Sequence, residues 1–154
     1  VTVRRSAGLL LFRRTADGPQ VLLGHMGGPF FARKDAGAWT VPKGEYEPDE
    51  PAWEAARREF REELGLEPPD GEAIALGEVR QTNGKLVTAW AVEADLDPAA
   101  VVPGTFTMEW PPRSGRLREF PELDRVAWFG LEQARAVIVT AQAAFLDRLA
   151  EHSA

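Results

Sequence analysis

GEYEPDEPAWEAARREFREELGL, residues 44–66, gathers three carboxylates, Glu59, Glu62 and Glu63, into five positions directly after Arg58. The ends of a helix are written into this stretch. Pro51 suits the first helical position, and Asp49 or Glu50 can cap or neutralise the positive helix end. Gly65 suits a left-handed C-cap with Leu66 as its hydrophobic partner, and Pro68 prevents continuation. The spacing predicts a helix over 51–64.

At about 100° per residue, Ala52, Trp53, Ala56, Phe60 and Leu64 form one apolar arc. Arg57, Arg58, Arg61 and Glu54 cover the opposite side. Glu59 and Glu63 fall inside the arc that reads as buried, a place no solvated charged face would choose. Glu59 is an i,i+3 neighbour of Glu62 and an i,i+4 neighbour of Glu63, so these pairs repel by roughly a few tenths of a kcal/mol even when exposed. Near a low-dielectric core the cost rises steeply. Arg58 can relieve Glu62 at i+4 and Glu54 at i−4, but no local residue neutralises Glu63. A hard divalent cation would. Three carboxylates, a backbone carbonyl and water make an oxygen-only site suited to Mg²⁺ or Mn²⁺. The plainer alternative is a salt-bridged surface helix. A carboxylate-bridged di-iron bundle is ruled out, because neither His25 nor His152 lies three residues after a Glu.

Composition bounds the remaining classes. At 154 residues the chain reads as one domain, 1–154, with 44% hydrophobic and 27% charged residues, ordinary for a globular protein. The net charge of −6 is local: residues 44–70 hold ten Asp/Glu and three Arg, a net of −7 that leaves the rest near neutral. That distribution speaks against nucleic acid, whose binders carry a basic stripe. No apolar run approaches the ~18 residues of a membrane span, and the absence of Cys excludes disulfides and thiolate metal sites. The opening VTVRRSAGLLLF shows no small-residue cleavage site, so a cytoplasmic protein is expected.

Along the chain, RRSAGLLLF (4–12) and QVLLGHM (20–26) read as strands joined at Asp17-Gly18-Pro19. Residues 27–37 read as loop, with Phe30, Phe31, Arg33 and Lys34 at least half exposed, and 38–41 as a short strand stopped by Pro42. IALGEVRQ (74–81) and KLVTAWAVEADL (85–96) alternate as strands around the two-residue hairpin signal Asn83-Gly84. Residues 97–121, with five prolines and two glycines, read as a long surface loop or lid. RVAWFG (125–130) is a last strand, followed by helical segments 131–136 and 141–150 that can be one broken helix.

The wider spacing adds a resemblance. Gly44, Glu50 and the run Arg58-Glu59-Phe60-Arg61-Glu62-Glu63-Leu64-Gly65-Leu66 match the Nudix (MutT-like) box at every fixed position. Phe60 alone stands where an aliphatic residue is commoner. Trp39 running into Pro42-Lys43-Gly44, and Glu122 placed six residues before Trp128, are also similar to the family. The resemblance implies a Nudix-type α/β/α sandwich around a mixed β-sheet. It implies that Glu59, Glu62, Glu63 and the Gly44 carbonyl bind the divalent ion. It further implies that Arg58 orients Glu59, with Glu50 supporting the site from behind. The implied reaction is hydrolysis of a nucleoside diphosphate linked to another group. Glu122 is the favoured general base; Glu59, Glu109 and Glu119 are the alternatives.

Lys43, where many Nudix sequences carry glycine, resembles the diadenosine polyphosphate and diphosphoinositol polyphosphate branches and is expected to touch a phosphate, unless it is an exposed surface lysine. Lys85 and Arg33, with Lys34, Arg113, Arg116 and Arg118, are candidates for a phosphate-binding rim. Trp90, Trp110, Phe30 and Phe31 are candidates to stack on a base. His25 reads as a satisfied structural histidine. The expected partner is a small phosphorylated molecule, a nucleotide. Nucleoside triphosphates, ADP-ribose and diphosphoinositol polyphosphates remain open as substrates, as does a ligand-sensing Nudix domain without catalysis.

Overall fold

In the computed structural model, which describes residues 3–153, strand β1 (Arg5–Thr15) is buried without interruption from Ser6 to Phe12. Burial on both faces explains its unbroken apolar run. Successive side chains point to opposite faces, and the strand feeds two separate cores. Ala7, Leu9 and Leu11 join one; Leu10 and Phe12 join the other. Strand β2 (Gly18–Met26) pairs antiparallel with the far half of β1, β4 (Lys43–Glu45) pairs antiparallel with its start, and β6 (Leu86–Glu93) runs parallel along its other side.

With β3 (Trp39–Thr40), β5 (Ala73–Arg80) and β9 (Leu123–Gly130) these strands make a seven-stranded mixed sheet of order β3-β2-β1-β6-β5, with β4 on β1 and β9 on β2. Helix α1 (Ala52–Leu64) covers one face through Ala55, Ala56, Phe60 and Leu64. Helices α2 (Leu131–Val137) and α3 (Ala143–Ser153) cover the other through Ala134, Phe145, Leu146 and Leu149. The architecture is the expected α/β/α sandwich.

Three local expectations change. Residues 97–121 are not an irregular lid: β7 (Thr105–Glu109) and β8 (Leu117–Pro121) pair antiparallel as a separate two-stranded sheet. Pro111 and Pro112 sit in the hairpin turn and Pro121 at the end of β8, where no ladder N–H is lost, while Pro98 and Pro103 precede the hairpin in a short 3-10 turn and coil. Pro51 is the N-cap, so the helix begins at Ala52, one residue later than expected, and no side chain caps it. The Asn83-Gly84 turn is wider than two residues, since Gln81 N–H donates to the Lys85 carbonyl and Gly84 adopts φ 85°. The C-terminal helical region is broken in two, as the sequence reading allowed: Val139 N–H donates to the Trp39 carbonyl, and the chain leaves helix to bridge the sheet edge. Among the described residues, no helix is long and apolar enough to cross a membrane.

Candidate active site

Helix α1 and strand β4 meet so closely that a Cβ on Gly44 would overlap the Glu59 carboxylate. The helical arc read from sequence is the observed one: Glu59 and Glu63 are 7% and 9% exposed. Arg58 organises the cluster. Its Nε and Nη2 donate to the two oxygens of Glu50 at 2.8 and 2.9 Å, and Nη1 donates to Glu59 Oε1 at 2.8 Å and Glu62 Oε2 at 3.1 Å. The expected pairing with Glu54 is replaced by Glu50, which reaches back from the turn before α1. A bidentate carboxylate fixes a guanidinium better than a helical neighbour can.

Glu63 makes no ion pair among the described residues. Burial, with Glu122 and Glu59 alongside, pushes its carboxyl up to about 8. Burial also raises Glu59 against the pull of Arg58, and raises Glu122 against the pull of Lys43. These three carboxylates and Glu62 line one cleft of about 450 Å³, together with Ser6, Lys43, Gly44, Glu45, Lys85, Gly104 and Thr105.

The other wall of the cleft is cationic. Lys43 is half-buried in β4 opposite Gly8 and is not the surface residue that its alternative reading required. Burial, and then the neighbouring Lys85, lower its ammonium below the ordinary value. Lys85 donates to Glu45 at 3.3 Å, and Arg4, foremost, with Lys85 holds the Glu45 carboxyl down to about 2. A larger hollow of about 950 Å³ lies beyond Glu45 and Arg58, but its arginines, Arg4, Arg5 and Arg58, are all engaged by carboxylates. The smaller cleft holds both Glu63 and Lys43, neither of which makes an ion pair among the described residues, although each pulls on the other.

The donor set fits a hard divalent cation: all oxygen, crowded and partly desolvated. The side chains are not preset around a common point, and among the described residues no three acidic or imidazole groups form a ready metal cage. Arg58 engages Glu59 through Oε1 and Glu62 through both oxygens.

Other candidates lie elsewhere. Arg33 is exposed in the 27–37 loop and does not line the cleft. Arg113, Arg116 and Arg118 belong to the β7–β8 hairpin and its turn, where Arg118 lies 5.4 Å over Phe120. Glu109 accepts from Arg113 N–H within that hairpin and is removed from the cleft; Glu119 is exposed on β8. Trp90 packs against Trp53 at 5.3 Å on the α1 face, whereas Phe30, 59% exposed, meets Trp110 edge-on at 5.5 Å. His25 is fully buried between the Asp124 carboxylate and the Lys34 carbonyl, a structural position. Sequence reasoning missed Ser6, Glu45, Gly104 and Thr105 as lining residues. Ser6 gave a signal, being the lone hydroxyl beside an apolar run destined for burial.

The NUDIX domain family model matches residues 2–149, and the chain belongs to that family. A CTP pyrophosphohydrolase from Escherichia coli (strain K12) is 34% identical over 92 residues, covering 58% of this chain and 56% of that relative's own length. An Ap4A hydrolase from C. elegans, solved as a binary complex, superposes with a TM-score of 0.66 at 22% identity over 96% of both chains. The NUDIX domain of Shewanella oneidensis NrtR, complexed with ADP ribose, superposes with a TM-score of 0.64 at 14% identity over 99% of this chain and 89% of that one. At these identities the two structures speak for the fold.

Proposed function

We propose that the protein is a divalent-metal-dependent hydrolase of phosphoric anhydrides, cleaving the pyrophosphate bond of a nucleoside diphosphate linked to another group. One observation carries this reading: a single cleft has an acidic wall of Glu59, Glu62, Glu63 and Glu122 and a cationic wall of Lys43 and Lys85. Glu59, Glu62, Glu63 and the Gly44 carbonyl would hold Mg²⁺ or Mn²⁺. The chemistry such an ion supplies is neutralisation of anhydride oxygens and acidification of water. Arg58, clamped by Glu50, keeps Glu59 and Glu62 oriented. Glu122 accepts the proton of the attacking water; it shares the cleft, and burial raises its basicity. Glu109 is engaged by its own hairpin and is set aside.

Lys43 favours a substrate with phosphates beyond the cleaved bridge, a dinucleoside polyphosphate, because its half-buried ammonium makes no ion pair among the described residues. The identity with the CTP pyrophosphohydrolase supports a second reading, a nucleoside triphosphate. The test is a panel of dinucleoside tetraphosphate, CTP and ADP-ribose incubated with Mg²⁺ or Mn²⁺, with products identified. Cleavage at a pyrophosphate bond is expected. Binding without turnover of any compound would leave the ligand-sensing alternative in its place.

A further inference from the structure

The imidazole of His25 is fully buried near the end of β2 and takes no part in the hydrolysis proposed above. Its Nδ1 lies 2.9 and 3.0 Å from the two Asp124 oxygens, and its Nε2 donates to the Lys34 carbonyl at 2.7 Å. Trp39 closes over it edge-on at 5.2 Å, and Arg125, lying over the same indole, donates to Asp124 Oδ1. The pairing of β9 with β2 is irregular at this point. His25 lies opposite Arg125 but Met26 lies opposite Leu123, so Asp124 is an extra residue with no place in the ladder. A bulge of this kind re-aims the chain and reverses the faces that the side chains beyond it take. Leu123 and Val126 show the reversal. Three residues apart, they would face opposite ways in a regular strand, yet both enter the core under α1. Without the bulge, alternation would send the Asp124 carboxylate into that core beside Val126.

The chain just before the bulge reaches the cleft. Glu122 lines it, near enough to Glu63 to raise that carboxyl. The Glu122 backbone is held on both sides: its N–H donates to the Gly104 carbonyl at 2.7 Å, and Gly27 N–H donates to its carbonyl at 2.9 Å. The strands approach so closely here that a Cβ on Gly27 would overlap the Pro121 carbonyl, and one on Gly24 would overlap the Leu123 side chain. His25 lies between these two glycines. We propose that His25, paired with the bulged Asp124, is a positioning residue for Glu122: it fixes the register in which β9 meets β2, and so the place at which the Glu122 carboxylate enters the cleft. An unbulged ladder would move Glu122 one residue along the strand, about 3.3 Å, and break its bond from Gly27. A base must meet its water within hydrogen-bond reach, so a shift of that size would disable it. His25 lies outside the cleft and acts through Asp124 and the backbone. The catalytic consequence rests on Glu122 being the base in the hydrolase reading above; the register does not.

The test is a double-mutant cycle on kcat, with His25→Gln and Asp124→Asn each made alone and in a Glu122→Gln background, on whichever panel compound is cleaved. Asp124→Asn, at a side chain 28% exposed, keeps the shape and carries the cycle if His25→Gln fails to fold. Each single variant should lower kcat by about 10- to 100-fold, the cost of misplacing a catalytic group by roughly 1 Å, with KM within about twofold. In the Glu122→Gln background the same changes should lower kcat by less than about twofold, because the base they position is already gone. Amide hydrogen exchange gives a reading that needs no substrate. In both variants the Gly27 and Glu122 amides should exchange about tenfold faster or more, while those of β1 and β6 keep their protection. Wild-type kcat in both single variants, equal losses in both backgrounds, or unchanged exchange at Gly27 and Glu122 would overturn the proposal. So would a loss of protection across β1 and β6, the mark of a histidine that serves stability alone. Faster exchange confined to Gly27 and Glu122, without hydrolysis of any panel compound, would support the register and count against the hydrolase reading alone.

Discussion

Glu62 and Glu63 are neighbours in sequence and strangers in environment. The side chain of Glu62 is 57% exposed and rests on Arg58; Glu63 is 9% exposed and faces Glu59 and Glu122. Either change to Gln keeps the shape and removes a charge, so each should lower kcat by about 10²-fold, the size of a single electrostatic contribution. Their metal-free stabilities should differ: Glu63→Gln should raise Tm by relieving a buried repulsion, and Glu62→Gln should leave it nearly unchanged. Denaturation in chelator beside steady-state kinetics separates these outcomes. If both variants keep wild-type rates, the pair is structural. Arg58→Lys supplies one point charge where a planar fork bridges Glu50, Glu59 and Glu62. It should cost about 1.5–3 kcal/mol, judged by a hydrogen bond to a charged group, read as lower Tm and reduced kcat. Much at this scale was legible. The helical arc alone set Glu59 and Glu63 among the buried residues. It could not find Glu50 as the partner of Arg58, because helical spacing offers only Glu54 and the chain folds back at Pro51 to bring Glu50 in. Nor could it make Lys43 half-buried, which depends on β4 pairing with β1.

At the scale of elements, α1 carries a pH-dependent load. The folded Glu63 carboxyl is raised to about 8, while the unfolded chain keeps the ordinary 4.5. Between these values the folded state binds more protons, so its stability should decline as pH rises. Metal-free protein should therefore lose Tm from about pH 4.5 to about pH 8, Glu63→Gln should flatten that slope, and Mg²⁺ should restore stability at the upper end. A metal-free profile identical in wild type and Glu63→Gln would remove the buried repulsion from the account. The β7–β8 hairpin makes a separate case. Two strands without a large core are marginal by themselves, and its register rests on Phe106 against Phe120. Its amides should exchange with deuterium faster than those of β1 and β6, and equal protection would mean that the hairpin is part of the main cooperative unit. Proline content hid this hairpin in the sequence, since a count of prolines does not reveal whether they sit inside strands or at their ends. Apart from β4, which was not read as a strand, the strands of the main sheet were legible because their apolar alternation, or its saturation in β1, follows from burial on one face or two.

At the scale of the molecule, the charge asymmetry of the chain becomes an arrangement in space. The net −7 of residues 44–70 gathers around α1 and its flanking turns, and β4 carries the boundary between that acidity and the Lys43 and Lys85 side. Two cores clamp β1 from both faces, and β1 fixes β4. The central claim is that the α1 glutamates bind a divalent ion needed for turnover. It is tested most directly by titrating Mn²⁺ calorimetrically into wild type and the Glu62→Gln/Glu63→Gln double variant, with anhydride hydrolysis followed in chelator and after metal is restored. The account predicts Mn²⁺ binding by the wild type that is largely lost in the double variant, no hydrolysis in chelator, and recovery with Mg²⁺ or Mn²⁺. Equal Mn²⁺ binding by both proteins, or full hydrolysis in chelator, would contradict it.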